Sequence, residues 1–259
     1  MRRSFFLLLA LSACDCGGTA GPSRDAGGGG GRDGGGSDFD AAGLDGARPG
    51  VDGATPEQCR DLGAIVRDFR SSHPDMEAAI GSERGLVQER LDGEGKPVYS
   101  GGPSTTVQST ESFAQWYRDV ADVNERFEVA LPLTQTSPGV FVFEDSDFFP
   151  IDDRGFGNEG NPHNFHFTTE IRATFRYRGG ETFTFRGDDD VFVFVNGRLA
   201  LDLGGVHGVE EATIDFDARA ASLEISPGNV YSLHVFHAER HTSESNFRIE
   251  TSIDCFLLE

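Results

Sequence analysis

The chain has 259 residues, with 22 Lys and Arg against 43 Asp and Glu, a formal net charge of -21. So acidic a surface repels phosphate backbones, which argues against nucleic acid as a partner. Cations, by contrast, are drawn to any place where those acids crowd together.

At the N-terminus Arg2 and Arg3 precede an apolar run from Phe5 to Leu11 that is too short to span a bilayer. "LSAC", residues 11–14, resembles the lipobox of bacterial lipoproteins, and "RRSFFL" loosely resembles a twin-arginine export signal. This reading divides the chain into a lipoprotein-type signal peptide (1–13), a lipid-bearing Cys14 with a tether (14–55), and a folded domain (56–259). It places the protein outside the cytoplasm, held to a bacterial membrane by the lipid on Cys14 and facing the periplasm or cell surface. A plain cleaved signal peptide is the alternative.

From Gly17 to about Thr55 the chain is Gly, Asp, Ala, Ser and Arg, with too few bulky apolar residues to offset ordering entropy. It reads as a spacer. Cys16 has no obvious partner. Cys59 and Cys255 bracket the folded part, and in an exported protein a disulfide between them would clamp its ends together. Two free buried thiols are the alternative.

"GAIVRDFR" (63–70) alternates Ile65, Arg67 and Phe69 on one face, a strand pattern. "SSHPDMEAAI" follows, where Ser72 can cap a helix and Pro74 and Asp75 suit its first turn. "ESFAQWYRDV" (111–120) predicts a second short helix with Phe113, Trp116, Tyr117 and Val120 on one side. Beyond Phe127 the chain predicts strands: "ATFRY", "ETFTF", "VFVFV", "RLALDL", "ATIDF", "VYSLHVF" and "NFRIETS". "YRGGET" and "VNGR" carry the Gly-Gly and Asn-Gly signals of hairpins. "VFVFV" is apolar on both faces, which marks a central strand. Many short strands at this spacing predict an all-β sandwich or barrel with one or two short helices toward its N-terminal part.

Several motifs fail on context. "GFGNEG" (155–160) fits G-x-G-x-x-G, but no strand-to-helix unit follows it. "HAE" at 237–239 lacks the P-C-x-x-C that would complete a zinc deaminase site. Neither H-E-x-x-H nor G-x-S-x-G occurs. The remaining chemistry is a concentration of acids, amides and histidines in four turns, of which "GDDD" (187–190) is the densest. A hard cation such as calcium takes six to eight oxygens at about 2.3–2.6 Å, and would relieve the repulsion of adjacent acids. Solvated turn acids are the alternative, since Asp is common in turns for local hydrogen-bonding reasons.

"QWYRDV", "FFPIDDRGFGN", "HNFHFTTEI", "FTFRGDDDVFVFVNGRLALDLGGVHG" and "YSLHVFHAERHTSESNFRIETSI" together resemble the fibro-slime domain, over roughly Leu62 to Ile253. That family is similar in turn to the protective-antigen-type β-barrel. Lectins of the wider group hold calcium with two consecutive Asp joined by a cis peptide, together with an Asn and backbone carbonyls of a later loop. The resemblance implies metal ligands among Asp188, Asp189 and Asp190, with Asn246 or Glu239 from the loop "AERHTSESNF", and ligand contacts from His207, Arg240 and His241. Three Asp stand here where the lectins have a pair. The resulting expectation is a surface or matrix binding module for extracellular polysaccharide or surface glycan, dependent on calcium. A structural module without a small ligand, and a glycan-active enzyme, are the alternatives.

Overall fold

The computed structural model describes Cys59 and residues 61–258. The expected signal peptide, Cys14, Cys16 and the tether lie outside the described residues. In β1 (Asp61–Phe69) Leu62, Ala64 and Val66 enter the core, while Ile65 and Arg67 take the outer face. An excursion follows, holding β2 (Gly81–Ser82) and α1 (Thr110–Phe113), before β3 (Asn124–Pro132), β4 (Thr134–Ser137) and β5 (Val140–Asp145).

The helix expected over "SSHPDMEAAI" is a series of turns instead. Its Asp75 carboxylate is buried and accepts from the Gln108 N–H (2.7 Å), the Ser112 hydroxyl (3.0 Å) and the Trp116 indole (2.8 Å). Three charge-assisted bonds outweigh a helical preference of a few tenths of a kcal/mol per residue. The second helix is shorter than expected. Ser109 caps α1, but the Gln115 and Trp116 N–H groups reach back only three residues, to Ser112 and Phe113. That tighter turn brings Trp116 and Tyr117 against Phe113.

The rest of the chain gives β6 (Phe167–Arg176), β7 (Thr182–Gly187), β8 (Asp190–Val195), β9 (Arg198–Leu203), β10 (Gly205–Val206), β11 (Glu210–Asp215), α2 (Phe216–Leu223), β12 (Val230–Glu239), β13 (Phe247–Thr251) and β14 (Phe256–Leu258). Seven strands form one antiparallel sheet in the order β3-β1-β6-β12-β8-β9, with β14 also paired to β6. Five form a second, β11-β7-β13-β5-β4, and β10 pairs with β2. The sheets do not close on themselves, so the fold is a sandwich. Between them lie Val191, Val193, Val195, Leu233 and Val235 from one sheet and Phe183, Phe185, Phe247 and Ile249 from the other. On the far side of β8 and β12, Phe192, Phe194 and Phe236 pack beneath Leu86, Phe113, Trp116 and Tyr117 of the excursion. That cover is why "VFVFV" is apolar on both faces.

Of the two hairpin signals, one forms a hairpin. Asn196 and Gly197 both have positive φ (52° and 68°) and join paired strands β8 and β9. Gly179 and Gly180 instead carry the chain from one sheet to the other, because side chains take their amides. The Gly179 N–H donates to Glu181 and the Gly180 N–H to Asp217. "ATIDF" is a strand only as far as Asp215, whose carboxylate accepts from the Ala218 N–H and caps α2, a helix that periodicity did not predict. Cys59 and Cys255 are disulfide-bonded, with Cα atoms 4.4 Å apart.

Candidate functional site

The three acids lie where β7 of one sheet gives way to β8 of the other. Gly187 permits this crossing, because a Cβ there would sit 2.1 Å from the Asn246 carbonyl. The Asp188–Asp189 peptide is cis, as the resemblance implies. Each acid then has its own partner. Asp188 accepts from the Asn246 backbone N–H (2.7 Å) and side-chain amide (2.9 Å), which ties the later loop to the strand junction. Asp189 accepts from the backbone N–H groups of His207 (3.0 Å) and Arg240 (3.1 Å). Asp190 accepts from the Gly205 N–H (2.6 Å) and from Arg240 Nε (2.7 Å).

Arg240 is fully buried. Its guanidinium also donates to the carbonyls of Asp75 (2.9 Å) and Thr106 (2.6 Å) and lies over the Trp116 ring. The structure therefore gives Arg240 and Asp190 to each other and to the core, away from any ligand that approaches from solvent.

The remaining expected residues gather around Asp188 and Asp189. These two acids line a small cleft of about 60 Å³ with His207, His241 and Glu244. His207 faces backbone carbonyls with both ring nitrogens, Nε2 to Leu203 (3.1 Å) and Nδ1 to Gly208 (2.8 Å). His241 lies 3.9 Å from Glu77. Glu239 stands behind the cleft, fully buried, and its Oε2 has no hydrogen-bond partner. Its other oxygen accepts from the His241 N–H at 3.5 Å, and the Ser245 hydroxyl donates to the Phe148 carbonyl at 2.8 Å.

Burial and mutual repulsion raise these acids. Burial is the main cause for Asp189, pushed up to about 7, with repulsion from Asp190 second. Burial lifts Glu239 well above the usual carboxylate range, followed by repulsion from Asp189 and Asp188. Asp188 is raised by burial. Among the described residues, no three His, Cys, Asp or Glu already converge as a ligand set. Nevertheless Asp188, Asp189 and Glu239 lack a countercharge of the kind Asp190 has.

Sequence reasoning did not find His237, which is buried beneath the junction and bonds the Asp188 carbonyl through Nε2 at 2.7 Å. Burial lowers its pKa to about 4, so it is neutral and donates. The loop of residues 146–165, which holds one of the four polar turns that the sequence marks, flanks the site. Asp68 of β1 anchors this loop by accepting from the Phe156 N–H (2.5 Å) and the Asn164 amide (2.8 Å). Gly155 leaves room for that carboxylate: its φ is 59° and a Cβ would lie 2.2 Å from Asp68 Oδ2. Gly155→Ala is therefore expected to cost about 1–3 kcal/mol in urea unfolding. An unchanged midpoint would mean that Asp68 does not hold the loop.

Among known proteins, protein psiR of Dictyostelium discoideum is 37% identical over 212 residues, covering 74% of this chain and 21% of the relative. Protein psiQ of the same organism is 40% identical over 211 residues, with coverages of 74% and 21%. The chain thus spans about a fifth of the length of these relatives. Both are proteins of a eukaryote, which overturns the expected attachment to a bacterial membrane through a lipid on Cys14. Among solved structures, the PA14 sugar-binding domain from an RTX adhesin is similar at 9% identity and a TM-score of 0.36, covering 78% of this chain and 95% of that one. Residues 136–255, which carry both Asp188–Asp189 and Asn246, match the PA14 domain.

Proposed function

We propose that this domain, a PA14 fold of the fibro-slime type, is a binding module that holds a calcium ion at Asp188 and Asp189 and recognises a glycan there. The ordered motifs from "QWYRDV" to "NFRIETSI" support the finer family reading. One observation carries the site: buried carboxylates of Asp188, Asp189 and Glu239 crowded together, one with an unpartnered oxygen, beside an open cleft. An isolated charge in the interior is costly unless it is paired or coordinates a metal. The donor set fits a hard cation, since carboxylates and the Asn246 amide oxygen are the ligands calcium prefers. Asp188 and Asp189 would hold the ion, with Asn246 and Glu239 as further donors. The ion would supply a positive centre for vicinal sugar hydroxyls.

This chain's residues do the positioning. Backbone N–H groups of His207 and Arg240 fix the Asp189 carboxylate, and Asn246 fixes Asp188. Binding without turnover is part of the proposal. The disulfide supports a place in an oxidising compartment.

Calcium at 100 times its dissociation constant is expected to stabilise the protein by about 2.7 kcal/mol, a rise in Tm of about 5–10 °C. Asp189→Asn is expected to lose most of that rise, and magnesium should give little, because its octahedral demand suits a loop site poorly. A melting curve that calcium leaves unmoved from micromolar to millimolar defeats the metal reading. Glycan-array binding that persists in chelator defeats the calcium dependence. Chelator-insensitive self-association without glycan binding favours a structural module.

A further inference from the structure

The cation cleft, about 60 Å³, falls well below the roughly 300–1,000 Å³ of small-molecule sites and does not enclose a sugar ring. Next to it lies a hollow of about 370 Å³, within the usual range for small-molecule sites. Ser243 and Glu244 line both. Asn246 lines the larger hollow and its amide donates to Asp188 of the cleft, so one hydrogen bond links the two spaces.

The wall opposite is aromatic. Phe149 and His163 stack face to face, with centroids 4.1 Å apart and planes 7° apart, and Phe165 meets Phe149 edge-on at 5.0 Å. Phe149 covers one face of the imidazole, yet the His163 side chain is 43% exposed and lines the hollow. The ring is held in place. Asp152 takes His163 Nδ1 at 2.6 Å through one oxygen and the Asn164 N–H at 2.7 Å through the other. Nδ1 therefore carries the hydrogen toward Asp152, and Nε2 is left for the hollow or solvent. Asp147, Glu244 and Asn246 add polar groups around the rings. A flat, partly exposed ring rimmed by carboxylates and an amide matches a pyranose, which presents C–H groups on its face and hydroxyls at its edge.

We infer that this hollow is a second subsite of the same binding site, with the sugar next to the cation-held one stacked on His163. The ligand is then an oligosaccharide rather than a single sugar. This rests on the cation-and-glycan reading above and specifies its substrate class.

The test is an array of neutral mono-, di- and trisaccharides probed in calcium with the parent, His163→Ala and Phe149→Leu. The second variant keeps apolar bulk while removing the ring beneath His163. The parent is expected to bind some di- or trisaccharides more tightly than their component monosaccharides. Both variants should lose that advantage, about three- to tenfold, with monosaccharide binding unchanged. Both should keep the parent's calcium-induced rise in Tm, measured without sugar, which also shows that they fold. Equal parent affinity for mono- and oligosaccharides, or variants that keep the full oligosaccharide advantage, overturns the subsite. A parent that binds no glycan, or that shows no calcium response, overturns the underlying reading instead.

Discussion

Replacing both Cys59 and Cys255 by Ala is expected to lower the free energy of unfolding by about 5 kcal/mol in a urea titration under oxidising conditions. The disulfide closes a separation of 196 residues, and on the chain-entropy account so long a loop removes much of the freedom of the unfolded chain. The native state adds to this. Both cysteines are buried, and the Phe256 N–H donates to the Cys59 carbonyl at 3.0 Å. The bond thereby holds β14 and the start of β1 along the same edge of β6. In hydrogen exchange, loss of protection in the double variant is expected to begin at 256–258 and 61–64. A loss of stability under about 1 kcal/mol would show that the unfolded chain is already confined by other means.

Arg240→Met is expected to be nearly as damaging, about 3–5 kcal/mol, because it leaves a buried carboxylate without its partner. Asp190 is fully buried and would keep only the Gly205 N–H, while the carbonyls of Asp75 and Thr106 would lose their donor. The pH dependence has a definite sign. Burial already raises Asp190, and Arg240 is the largest influence lowering it. Without Arg240 the folded-state value rises further above the unfolded one, so stability is retained at low pH and lost as pH rises. The deficit of the variant relative to the parent should accordingly be smaller near pH 5 than near pH 8. Arg240→Lys should fall between, since an ammonium can meet Asp190 but cannot also span both carbonyls as a fork does. A deficit independent of pH would indicate that lost packing on Trp116, rather than the stranded charge, is responsible.

The strands were legible because each is written locally. Alternation in β1, the two-faced apolar run of β8 and the Asn-Gly turn into β9 all depend on neighbours within a few residues. The errors share a cause. In "SSHPDMEAAI" a carboxylate satisfied by residues 33 to 41 positions away displaced the helix. In "YRGGET" the glycine amides found Glu181 and Asp217 rather than a facing strand. Local propensity is worth tenths of a kcal/mol per residue, and a charge-assisted bond to a buried group exceeds it.

The sequence by itself determined a β-rich domain, an acidic focus at 188–190 and a pair of cysteines, Cys59 and Cys255, bracketing the domain. Adjacent like charges are visible as letters, and strand periodicity is a property of consecutive residues. Only the tertiary structure decided that these three acids differ. Asp190 belongs to Arg240, Asp188 to Asn246, and Asp189 to two backbone amides from separate segments. Only the tertiary structure, too, set His163 on Phe149 beside Asn246. Residues 14 to 97 positions apart met because β8 pairs with β12, β7 pairs with β13 and the loops beside them pack together, which is what gives Asp190 its ion pair with Arg240.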